Sequence, residues 1–275
     1  MIKMKRKLSD FILSLLVLLA GIIVFIPFMY MFSSSMRTPA EAFKLPPAIL
    51  PERFMIENYI QLFKSDLPFA KMFLNSTIVT GITIVIQIVV CSMASYAFAK
   101  IRFAGRNFWF MAFLMSMMIP VQATIIPVYM MMSKLNLINT LSSIILISAF
   151  NAFGIFLMRQ SIASVPDAIV EAAKIDGCSF FRIFFNIMMP LCKPIATTVV
   201  IMETIWTWNA FMLPLVLTLN NPASRTLAVG LYAFKGENTV DWTGIAAGGT
   251  IAVIPVIILF IILQRHFVEG IAGAV

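Results

Sequence analysis

Charged side chains are scarce. Asp, Glu, Lys and Arg make up 12% of the 275 residues, about half the share of an ordinary soluble domain. That shortage excludes disorder, a collagen-like fibre and a typical water-soluble enzyme. Histidine occurs once, at His266, so a Ser-His-Asp or Cys-His arrangement would rest on a tail residue with no helpers nearby. Cysteine occurs three times. Cys91 falls in an apolar run, and Cys178 and Cys192 lie 14 apart with no histidine beside them. Neither place favours a disulfide, and the spacing makes no metal site. No Gly-x-x-x-x-Gly-Lys-Ser/Thr occurs, and no dinucleotide fingerprint follows a strand, so the chain carries no phosphate-cradling loop of its own. These absences leave no catalytic residue to nominate.

Long apolar stretches are what the chain has instead; 61% of it is hydrophobic. Uncharged runs occupy 11–36, 72–99, 107–133, 135–158 and 242–264. A sixth, 194–224, is 31 residues long and is broken only by Glu203. About 20 apolar residues in a helix cross a hydrocarbon core of about 30 Å. The pattern predicts an all-α polytopic membrane protein forming one domain over 1–275. Its six transmembrane helices are expected near 11–32, 72–99, 107–132, 138–158, 194–219 and 243–264. The first run exceeds a signal-peptide core and lacks an A-x-A-like cleavage site, so it reads as a retained span.

The 20 basic against 12 acidic residues report membrane orientation rather than nucleic acid. With the N-terminus inside, Lys and Arg divide 12 to 8 between inner and outer segments. The short flanks around Lys3, Lys5, Arg6 and Lys7, and around Lys100 and Arg102, carry the clearest bias. Both termini are then cytoplasmic. The outer segment 33–71 balances its bases with Glu41, Glu52, Glu57 and Asp66. Pro39, Pro46, Pro47 and Pro51 forbid one long helix in its first half, and 58–63 reads as an amphipathic turn. Pro120 and Pro127 within one run predict a shaped span there.

The inner loop 159–193 is too polar and too long for a simple turn. Ser164 three residues before Asp167, with Pro166 between, is a helix-start signature. Gly177 is placed to end that helix. Phe180, Phe181, Phe184, Ile187 and Met188 follow with mostly helical spacing, closed by Pro190 and Pro194. The loop 164–190 is therefore expected to be a helix–turn–helix, which is a docking surface with no covalent chemistry.

Glu171-Ala172-Ala173, then Gly177, then Ile187-Met188-Met189-Pro190 resembles the EAA motif of ABC-importer permeases, with Met189 at a position usually leucine, a volume-conserving exchange. Met118-Ile119-Pro120, Ile126-Pro127, Phe156-Leu157-Met158-Arg159, Val165-Pro166, Ile175-Asp176-Gly177, Trp208-Asn209 and the tail from Gln264 to Val275 are similar to the carbohydrate-uptake branch. The nearest likeness is to the maltose-type second permease subunit. One departure is Ala210, where the branch usually carries an acid. The resemblance implies a prokaryotic inner-membrane subunit that is not itself an enzyme. Its partners would be a second permease, usually a different chain, two cytoplasmic ATPase subunits holding ATP and magnesium, and an external sugar-binding protein. It further implies that 164–190 is the ATPase-coupling loop, with Glu171, Ala172, Ala173, Asp176, Gly177, Phe181 and Pro190 as its working residues. Glu171 would offer a carboxylate to a partner arginine, and the phenylalanines would fill an apolar socket.

A sugar path needs amides, carboxylates and aromatic faces in a mostly apolar setting. Glu203 is an acid inside a span, a functional position by default, and Trp206 shares its helix face while Trp208 points elsewhere. With Asn209, Gln122 and Asn151 these form the candidate substrate path; Asn75, Thr80, Thr83, Gln87 and Thr124 read instead as helix-joining groups. Two rivals fit the apolar runs. An ion-coupled secondary transporter would want several intramembrane acids, against one here. A membrane scaffold leaves the shaped loop without a purpose.

Overall fold

The computed structural model describes residues 2–44, 50–65, 67–236 and 240–272, with side chains from 10 to 265 except Phe43. Pro46, Pro47, Asp66, residues 273–275 and the side chains of Lys3, Lys5, Arg6, Lys7 and His266 lie outside that description. The described chain is helical, without strands. Two compact units result, 1–69 with 231–253, and 70–230 with 254–275. Four helices are long and apolar enough to cross a membrane, Asp10–Ser35, Phe69–Lys100, Leu141–Ser164 and Trp242–Arg265. The number is six if each of two bent pairs counts as one span.

In the first unit, helix α1 spans Ile2–Ser35. Its side chains from Asp10 to Met29 are exposed on every face, as in a helix that meets the rest of its own chain only near its end. The segment beyond it is tied by polar groups. Arg37 donates to Ser33 Oγ at 3.1 Å and lies over the Tyr30 ring. The Asn58 amide donates to the Ser35 and Arg37 carbonyls at 2.9 and 2.8 Å. Asn58 belongs to α2, Glu57–Lys64, which is the amphipathic turn expected at 58–63. Glu41 accepts from the backbone N–H groups of Thr38 and Glu52. Those two bonds, first the one from Thr38, hold its carboxyl below the ordinary glutamate range.

The second unit is organised by α3, Phe69–Lys100, whose 32 residues run without a proline. Three apolar clusters follow one another along it. Val79 packs with Met132, Ile144 and Leu217. Cys91 packs with Ile155, Met158 and Val199. Tyr96 packs with Val170, Ala173, Ile183, Phe184 and Met188.

Three further apolar runs are interrupted. The run expected as one helix over 107–132 is α4, Arg106–Ser116, and α5, Val121–Lys134, bent by 101°. Pro120 precedes α5 in an extended conformation, because proline lacks the N–H and its ring crowds the preceding turn. The run over 138–158 is α6, Leu141–Ser148, and α7, Ala152–Ser164. The loop 164–190 follows as α8, Asp167–Ile175, α9, Phe180–Ile183, a π-helical turn over Phe184–Met188, and α10, Met189–Leu191. From there the chain bends by 77° into α11, Lys193–Trp208. The expected continuous helix over 194–219 is not formed: α11 stops at Trp208 and α12, Met212–Leu217, restarts after three residues. Pro214 in α12 cannot donate to the carbonyl of Ala210 and its ring clashes there. Beyond lie α13, Leu227–Ala233, and α14, Trp242–Ala272.

Ser164 is not the cap its sequence context suggests. It is the last residue of α7, and its hydroxyl donates back to the Ser161 carbonyl. Pro166 forces Val165 to extended geometry, which separates the two helices and leaves α8 starting at Asp167 without a side-chain cap.

Candidate functional site

Two places gather the polar and conformationally special residues, and both lie in the second unit. The first is the loop 164–190. Val170 and Ala173 of α8 are buried, while Glu171, Ala172, Lys174 and Asp176 face outward. The helix ends in a Schellman arrangement. Cys178 N–H donates to the Ala173 carbonyl at 2.9 Å and Gly177 N–H to that of Lys174 at 3.0 Å. Gly177 sits at φ +76°, where a side chain is strained. Ser179 then opens α9, its hydroxyl accepting from Arg182 N–H.

The phenylalanines divide by function. Phe184 is buried against Tyr96 at 5.5 Å between ring centroids, so it fills this chain's own core. Phe181 and Phe185 are more than half exposed and are free to meet a partner. Pro190 is exposed. The loop's outer face is thus one carboxylate-bearing helix side beside an aromatic edge.

The loop is anchored from α3. Lys100 Nζ donates to the Val165 carbonyl at 2.5 Å and to Asp167 Oδ1 at 2.6 Å. The lysine side chain is 5% exposed and the aspartate 77%. The Lys100 hydrogen bond and charge hold the Asp167 carboxyl below its ordinary range.

The second place is a cavity of about 310 Å³, at the lower end of the range for small-molecule sites. It lies where three segments break. Val121 and Thr124 come from the start of α5, Ser148, Phe150 and Asn151 from the α6–α7 interruption, and Trp206, Thr207 and Ala210 from the α11–α12 interruption. Interrupted helices free backbone polar groups, and such breaks in membrane proteins occur where they line a cavity. Glu203 on α11 and Gln87 on α3 complete the polar wall.

These groups form one network. Asn151 Oδ1 caps α7 by accepting from Phe153 N–H at 2.8 Å, and its Nδ2 donates to Glu203 Oε1. Gln87 donates to the Ser148 carbonyl and lines the same wall as Glu203. Glu203 is 3% exposed. None of the residues lining the cavity is cationic. Trp206 is 44% exposed, lines the cavity and packs at a steep angle on Phe153. Trp208 turns away to Phe73.

Of the residues nominated from sequence, Glu203, Trp206 and Asn151 meet at this cavity. Gln122 and Asn209 are not among its lining residues. Gln122 is exposed beside Val121, and the Asn209 amide donates to the Ile205 carbonyl of its own helix. Gln87, Thr124 and Thr207 line the wall instead. Gln87 and Thr124 are visible in the sequence as polar groups inside apolar runs. Only the positions of the helix breaks decide that they face the cavity.

Residues 92–273 match the family of binding-protein-dependent transport system inner membrane components. Over 272 residues, 97% of each chain, the protein is 32% identical to the arabinooligosaccharides transport system permease protein of Halalkalibacterium halodurans. Over 273 residues, 98% of each chain, it is 32% identical to a probable permease for starch degradation products from Thermoanaerobacterium thermosulfurigenes. Its fold superposes with a TM-score of 0.80, at 24% identity, on a chain of a bacterial ABC transporter that imports the acidic polysaccharide alginate, covering 95% of this chain and 97% of that one. The chain therefore belongs to the binding-protein-dependent transport inner-membrane family, as a multi-pass membrane permease.

Proposed function

We propose that this chain is one permease subunit of an ATP-driven importer for a neutral sugar or oligosaccharide, paired with a second permease. Two ATPase subunits would hold ATP and magnesium on the cytoplasmic side, where both termini lie, and an external binding protein would deliver the cargo. The chain itself performs no covalent chemistry. Loop 164–190 is its power input. ATP-driven closure of the ATPase pair moves the loop as a body, and the motion tilts the membrane segments so that the cavity opens alternately to either side.

The observation that carries this reading is the outward face of α8. Glu171 and Ala172 are presented to solvent on a helix whose opposite side, Val170 and Ala173, is packed into the core. A short helix fixed on one side and charged on the other is shaped to seat in a partner's cleft. The cavity supports the cargo class. Hydroxyl groups find acceptors in Glu203 and Thr207, an indole face at Trp206, and no cation to recruit an anion.

The test is affinity purification from native membranes in mild detergent, comparing wild type with Glu171→Lys. An ATPase and a second permease should accompany the wild-type chain, and the ATPase should be lost from the variant. A well-inserted wild-type chain that retains no ATPase, with nucleotide present, would remove the importer reading in favour of an ion-coupled transporter.

A further inference from the structure

We propose that Lys100 is a positioning residue that registers the coupling loop on α3, and that α3 is the rod carrying the loop's motion to the cavity. The inference rests on the importer reading above and deepens it. Lys100 is the last residue of α3. Its ammonium is nearly buried and serves two acceptors at the start of α8, the Val165 carbonyl and Asp167 Oδ1. One turn earlier, Tyr96 is 2% exposed and packs on Phe180 and Phe184, with ring centroids 5.0 and 5.5 Å away. Both halves of the loop are therefore fastened to one helix end, α8 by charge and hydrogen bonds and the α9 region by aromatic packing.

The same helix reaches the cavity. Gln87 lies thirteen residues before Lys100, about 20 Å along the axis; it lines the cavity and donates to the Ser148 carbonyl at the α6–α7 break. Between them Ser95 donates to the Ile155 carbonyl and Cys91 to that of Asn151, so α3 is also pinned to α7 along this length. A continuous helix resists axial compression because its turns are joined by regular hydrogen bonds, whereas the broken segments around the cavity can hinge at 117–120, 149–151 and 209–211. A displacement of α8 is then transmitted along α3 and taken up at the breaks. An interaction at the surface alone would add little to this. What Lys100 supplies is a buried donor whose removal orphans the Val165 carbonyl and frees α8 to shift without α3 following.

The test uses the complete complex, purified with its ATPase and held in lipid nanodiscs. Thr207→Cys in the cavity wall reports access to a water-soluble maleimide in a Cys178→Ser background, since Cys91 and Cys192 are buried. In the otherwise wild-type complex, magnesium-ATP should change the labelling rate. Lys100→Met should keep the ATPase bound and hydrolysing but lose the ATP-dependent change, and Lys100→Arg should restore it. An unaltered response in Lys100→Met, loss of the ATPase from that variant, or an Arg variant no better than Met would each overturn the proposal. A complex whose labelling ignores ATP even with Lys100 present would remove the coupling-loop reading, and this inference with it.

Discussion

At the residue scale, the loop 164–190 depends on a backbone position that only glycine occupies cheaply. Gly177 lies at φ +76° with open space around its missing Cβ, so a substitution meets a conformational cost and no steric one. Gly177→Ala is expected to destabilise the chain by about 1–2 kcal/mol, and Gly177→Asn by less; thermal unfolding in detergent measures both. Equal midpoints for all three would show that the turn relaxes without loss. Carboxylates set the pH response of the segment after α1. Glu41 is held below its ordinary pKa by the Thr38 and Glu52 N–H groups. A group whose folded pKa is depressed contributes stability above its unfolded value, about 4.3, and loses it as pH falls through the folded value. Residues 36–44 and 50–56 should resist proteolysis at neutral pH and yield to it at pH below about 4. In Glu41→Gln they should be cleaved already at neutral pH. Identical pH profiles for the two proteins would contradict this role. Residues of this kind were legible in part. Glu171 and Gly177 stand out because their signals are local, a spacing and a turn, whereas the buried anchorage of Lys100 joins residues 65 and 67 positions apart.

At the element scale, helix breaks determine the site. Two lie beside a proline, Pro120 before α5 and Pro214 in α12, though only the first is read from sequence as shaping its span. The third, at 149–151, has neither proline nor glycine. There the chain is held open by distant partners, with Gln87 on the Ser148 carbonyl and Glu203 on Asn151, which caps α7. No local pattern encodes such a break. Thr124 and Thr207 line the cavity, whereas Gln122 and Asn209, each two residues away on the same helix or its cap, do not; two residues is about 200° around a helix. Packing between elements is equally exact at α13, where a Cβ on Gly230 would stand 2.0 Å from Met72 Sδ and 3.1 Å from its Cγ. Gly230→Ala should cost about 1–3 kcal/mol by overpacking, and Met72→Ala in the same chain should return part of it. Thermal midpoints of the single and double variants check this. A fully stable Gly230→Ala chain would mean that α13 shifts freely.

At the scale of the whole molecule, apolar runs of 23 residues or more determined a helical membrane protein without reference to any partner, because in lipid every backbone group must be satisfied within its own segment. The helical loop 164–190 was equally a matter of sequence: its polarity, its glycine and its spacing are contained within thirty residues. The tertiary structure decided where the segments break, which polar side chains converge on Glu203, and which end of which helix grips the loop. Those outcomes depend on hydrogen bonds between groups 52 to 67 residues apart, such as Asn151 to Glu203 and Lys100 to Asp167. Periodicity within a segment carries no information about a partner on another segment, so convergence of this kind exists only once the chain has folded.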